Sequence, residues 1–278
     1  IGVAVAILLG SILLVGTGPV AGQSQPTVVE EDLTQNTTWT AEEGPYRVVA
    51  NVTIRPNTSL SIEPGTEVQV AEGVSLRVRG DVLARGTARD PVMFTASKVR
   101  PSAGAWGTIH VNNSANSTAE FSNVRIEYAT TAVTVTNRTD HVSLTGATVS
   151  NIERDGIRYR NLSRKPGLTV RHSAFEAIGG RALAAVSTDS EPPLPGVAGW
   201  HIVDSTFSNI GDEAIFIEGD RVRNLFVLRS RFAGDGAPAL RVRTDMLSGT
   251  TIRENTIEGP GDGLSIDADR VWQVSITD

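Results

Sequence analysis

The chain has no cysteine, and lysine is confined to Lys98 and Lys165. The first absence removes a disulfide framework, a thiol nucleophile and a cysteine-bound zinc. The second leaves positive charge almost wholly to arginine. A formal net charge of −6, without a basic cluster, argues against a nucleic-acid partner. The histidines His110, His141, His172 and His201 lack helical or tight ligand spacing, so no metal site is expected, and no cofactor motif is present. No stretch after Val20 sustains a helical apolar period, which leaves strands to carry the fold.

What the chain has instead is a repeat. In WHIVDSTFSNIGDEAIFI (residues 200–217), apolar clusters fall at Trp200/Ile202, Phe207/Ile210 and Ile215/Ile217. The second member of the first cluster recurs as Phe121, Leu144, Val170, Ile202, Val227 and Ile252, at steps of 23, 26, 32, 25 and 25 residues. The Phe207 position recurs as Ile126, Val149, Phe175, Phe207, Phe232 and Ile257, with the same steps. A third column runs Ile157, Leu183, Ile215, Leu240 and Leu264. A period in the twenties, with period-2 apolar pairs separated by turn residues, predicts a β-solenoid of short strands. Successive coils would stack about 4.8 Å apart, and each apolar column would be buried only by its neighbours.

The opening of the repeat region carries a more specific likeness. LSIEPGTEVQV (60–70), LRVRGDVLARGTARDPVMFT (76–95), GAWGTIHV (104–111) and VRIEYA (124–129) resemble exported right-handed parallel β-helix proteins of the pectin-lyase-like superfamily. The resemblance spans about Tyr46–Asp278. It implies an all-β right-handed parallel β-helix, export, and dealings with carbohydrate. The fold carries lyases, hydrolases, adhesins and tailspikes alike, so chemistry does not follow from it.

The expected organisation has three parts. Residues 1–22 open with IGVAVAILLGSILLVGTGPV, apolar and uncharged, and read as a signal peptide or a membrane anchor. Residues 23–45 read as a polar linker. Residues 46–278 read as one elongated solenoid. The start at Ile1 and the partial coil around Val274/Ile276 point to a fragment of a longer protein. Membrane contact is expected only through residues 1–20, with the remainder extracellular or at the cell surface. Ser187–Gly199, with its prolines and acids, adds about seven residues to one coil and is expected to protrude as a loop. Glycosylation sequons fall at Asn36, Asn51, Asn57, Asn112, Asn116, Asn137 and Asn161.

The acids, column by column, are the candidates for chemistry. Before the third cluster stand Asp155, Arg181, Glu213, Pro238 and Asp262; after it stand Glu218, Arg243 and Asp267. Glu218 and Asp267 are two coils apart, roughly 9.6 Å by strand spacing, near the upper separation for an inverting glycosidase. An arginine intervenes in each column, however, and alternating sign is what a structural ion-pair ladder requires. The catalytic alternative would use Asp212, Glu213, Glu218 and Asp267. The favoured expectation is a binding or structural module for a polysaccharide or surface glycan. Phe216 and Phe226, with Arg158, Arg241 and Arg243, are its binding candidates on an exposed sheet face. The alternative is a polysaccharide lyase or glycoside hydrolase completed outside this chain.

Overall fold

A computed structural model describes residues 25–112, 118–137, 141–162, 167–186, 196–234, 237–259 and 263–277. The chain is all-β there, coiled so that each strand pairs in parallel with its counterpart one coil on. One coil shows the plan. Ile215–Glu218 lies on a first face, Arg221–Leu228 on a second and Arg231–Ala233 on a third. The third face is a 10-stranded sheet, Thr27–Val29 through Thr256–Glu258. The first and second faces share a 17-stranded sheet, because Leu240–Arg253 and Leu264–Thr277 run through the corner between them as single strands.

The columns read from the sequence are in register. Ile157 pairs with Leu183, Leu183 with Ile215, Ile215 with Leu240, and Leu240 with Leu264. The first four are at most 1% exposed, while Leu264, in the terminal coil, is half-buried. Alternation explains the pattern: successive side chains of a strand point to opposite faces, so every second residue enters the core. Phe175, Phe207 and Phe232 stack at 5.3 and 4.8 Å between ring centroids, with planes only 11° and 4° apart.

The corner between the second and third faces is a single residue. Asn123, Gly146, His172, Asp204, Arg229 and Glu254 all adopt positive φ there, one per coil. The next position turns inward and forms a polar ladder. The Ser173 amide donates to Ser205 Oγ, the Ser205 amide to Ser230 Oγ, and the Ser230 amide to Asn255 Oδ1. Each of these serine hydroxyls donates to the carbonyl two residues before it. Buried amides freed by the sharp bend are thereby satisfied, as burial requires.

Two expectations change. The stretch 23–45 is not a linker throughout: Thr27–Val29 pairs with Tyr46–Val48, and Thr37–Trp39 pairs with Ser59–Ile62. Trp39 is buried and stacks on Tyr46 at 4.7 Å. Of the proposed loop 187–199, Val197–Val203 is a strand, with Val197 buried and paired to Val222. Residues 187–195 lie outside the described residues, as do 1–22, Asn116 and Asp262. Among the described residues, no helix is long and apolar enough to cross a membrane.

Candidate ligand face

On the first face, strand alternation points one column outward as Arg77, His110, Thr134, Arg158, Ala184, Phe216, Arg241 and Ser265. Beside it runs Glu218, Arg243 and Asp267. Asp155, Arg181 and Glu213 sit on the turns that lead into these strands.

The acids of this face are bridged by guanidinium groups. Arg158 Nη1 reaches Asp155 Oδ2 at 2.7 Å, and Asp155 Oδ1 accepts the Arg181 amide at 3.0 Å. Glu213 holds two arginines from the coils on either side: Arg181 Nε at 2.8 Å and Arg241 Nη1 at 2.8 Å. The Glu213 side chain is only 8% exposed. Its burial works to raise the carboxyl pKa, yet the bond from Arg181, its own backbone amide and the charges of Arg181 and Arg241 outweigh that. The net result lies below the ordinary glutamate value. Glu218 and Arg243 approach only to 4.0 Å and are both well exposed.

Phe216 is not an open platform. It is 3% exposed, packed with Ala184 and Val186, and the Arg181 guanidinium lies over its ring at 4.3 Å. The Arg243 guanidinium stands 5.8 Å from the same ring. The ring therefore anchors arginines by cation–π contact, leaving their outer surfaces to solvent. Phe226 belongs elsewhere: it stands on the second face, half-buried, tilted against His201 at 4.7 Å. Asp212 is exposed at the corner between the third and first faces, beside a cavity of about 30 Å³.

The structure thus gathers Arg158, Arg181, Glu213, Phe216, Arg241 and Arg243, flanks them with Glu218 and Asp267, and leaves out Phe226 and Asp212. Asn36, Asn51 and Asn57 are exposed, and Asn112 is half-buried. Asn36 Oδ1 accepts the Ser59 amide and Asn51 Oδ1 the Ser75 amide, so both also tie coils together. The side chains of Asn137 and Asn161 lie outside the described residues. Sequence spacing alone does not single out Arg77, Arg79, His110 and Arg160, because only the coil register brings such scattered residues onto one face. The signal was their place in the outward columns.

Residues 31–137 match the family model of a pectate-lyase like beta helix domain. The ladders continue the same coil beyond that segment to Thr277, so the described residues form one parallel β-helix, of which residues 31–137 match that family model. The crystal structure of an alginate lyase from Paenibacillus sp. str. FPU-7 is 12% identical, over 89% of this chain and 99% of that one, with a TM-score of 0.31. No curated protein matches the chain.

Proposed function

We propose that this protein is an exported cell-surface β-helix that binds a polysaccharide along its first face and does not cleave it. The observation that carries this reading is Glu213. A general acid must hold its proton near working pH, which needs a raised pKa. Glu213 is instead held ionised between two arginines. Asp155 is likewise bonded to Arg158, and Glu218 and Asp267 have Arg243 between them in register. What the face offers to solvent is guanidinium edges on a rigid flat sheet, which donate to sugar hydroxyls and carboxylates in bidentate fashion. The aromatic ring beneath them fixes their orientation.

Export rests on the apolar segment 1–20 and surface display on the sequons. Intact mass of protein recovered from its own host should show loss of the segment ending near Gly22, and added glycan at Asn36, Asn51 or Asn57. Recovery of residues 1–20 in the membrane fraction would establish an anchor instead. The binding reading is tested with an array of acidic and neutral polysaccharides. Arg241→Gln with Arg243→Gln should weaken the bound polymer at least about tenfold, equivalent to loss of one or two charge-assisted hydrogen bonds. Unchanged binding would remove the first face as the ligand surface.

A further inference from the structure

We propose that the corner between the third and first faces carries a second ligand groove, suited to an uncharged sugar chain and separate from the arginines of the first face. The groove goes beyond the first-face reading and does not depend on it.

Its volume is about 870 Å³, within the roughly 300–1,000 Å³ of ordinary ligand clefts. The register explains its shape. Ser150, Glu176 and Ser208 align across three coils, as do Ile152, Ile178 and Ile210. Asn151, Ala177 and Asn209 therefore share the column between them, and all three adopt positive φ and line the groove. Two asparagine amides thus stand two coil spacings apart, roughly 9.6 Å, with only the Ala177 methyl between them. Beside them the groove is lined by bare backbone at Gly179 and Gly211. A Cβ on Gly179 would collide with the Glu153 carbonyl oxygen, and one on Gly211 with the Gly179 carbonyl oxygen. Close coil packing therefore keeps side chains out of this part of the lining. At one end the turn 102–105 lies against Glu153, where Gly104, at φ 83°, leaves no room for a Cβ beside the carboxylate.

The polar side chains of the groove are unspent. Among the described residues, Asn209 and Glu153 make no side-chain hydrogen bond or ion pair, and Asn151 reaches only Ser150 Oγ, at 3.5 Å. The main chain, in contrast, is committed: the Gly179 amide donates to the Ile152 carbonyl and the Gly211 amide to the Ile178 carbonyl, both at 2.8 Å. A peptide adding as a strand needs free main-chain partners and does not find these two amides available. Recognition falls to the side chains. Each asparagine amide offers two donors and one acceptor, which suits hydroxyls that donate and accept in turn. No arginine or lysine lines the groove among the described residues, so a sugar acid would meet no partner for its charge there. A chain of repeating neutral units fits a groove whose own contacts repeat with the coil.

The test adds cello-, manno- and xylohexaose in turn and follows the side-chain amides of Asn151 and Asn209 and the main-chain amides of Gly179 and Gly211 by NMR. At least one hexasaccharide should shift all four together. Asn151→Gly with Asn209→Gly removes both amides while glycine keeps the left-handed backbone, and affinity should fall about tenfold, the loss of two ordinary hydrogen bonds. Ala177→Tyr should close the gap and abolish binding. Tyrosine is accommodated in this column, since Tyr128, one coil before Asn151, already holds φ 63°. A melting temperature for each variant checks its fold. If no hexasaccharide moves the four signals, or if the shifts persist in both variants, the proposal is overturned. The first-face reading fails separately: an acidic polymer that leaves the first-face arginine signals unmoved removes that reading and leaves the groove standing.

Discussion

At Glu213 one buried carboxylate meets two guanidinium groups from neighbouring coils. Its folded pKa is depressed, so its stabilising contribution is fully present above the unfolded glutamate value and is lost as pH falls through the folded value. Wild-type melting temperature should therefore drop as the solution is acidified below about pH 4.5, the unfolded glutamate range, and Glu213→Gln should drop less steeply. Breaking one side of a buried pair costs about 3–5 kcal/mol, and the quarter-exposed arginines reduce the expectation to about 2–3 kcal/mol for Glu213→Gln by denaturant titration. Arg243→Gln, at an exposed contact, should cost less than about 1 kcal/mol and less again in high salt. The alternation of sign that predicts this ladder was legible in the sequence, since register equals repeat. The burial of Phe216 was not. Period-2 alternation says that a side chain points outward, but cannot say that Arg181 and Val186, from the preceding coil, will cover it.

Elements in this fold are stabilised by their counterparts one coil away, so a defect in one column strikes three coils at once. Phe207 lies between Phe175 and Phe232, and Phe207→Ala should destabilise by about 3–5 kcal/mol. Ile215→Asp would set an unpaired charge between Leu183 and Leu240 and should abolish soluble expression; a variant that melts like wild type would refute the column. The left-handed positions make an opposite prediction. Ala177 sits at φ 53°, exposed on the third face, where an L side chain costs about 1–2 kcal/mol. Ala177→Gly should raise stability by about 0.5 kcal/mol, once glycine's greater unfolded-state freedom is subtracted. The apolar columns were readable because only apolar residues fill them. The one-residue corner was not, because Asn, Gly, His, Asp, Arg and Glu share it, and a turn set by backbone geometry leaves no common side-chain signature. The opening strands were missed for a related reason: at three residues each, Thr27–Val29 and Thr37–Trp39 sketch too little of a pattern.

Across the whole molecule, charge is unevenly placed. The chain carries a net charge of −6, yet Arg77, Arg79, Arg158, Arg160, Arg181, Arg241 and Arg243 all belong to the first face or its leading turns. Composition alone hides such a face; only the coil, which brings residues some 25 positions apart into one row, reveals it. A surface of this kind should bind acidic polymers with an affinity that falls as salt rises. The most direct test of the central claim incubates the protein with the polysaccharide it binds most tightly and follows both retention and new chain ends. The account predicts retention that Arg241→Gln with Arg243→Gln removes, and no new reducing or unsaturated ends over extended incubation. Cleavage that disappears in Glu213→Gln, Glu218→Gln, Asp267→Asn or Asp212→Asn would contradict it and make the first face an active site.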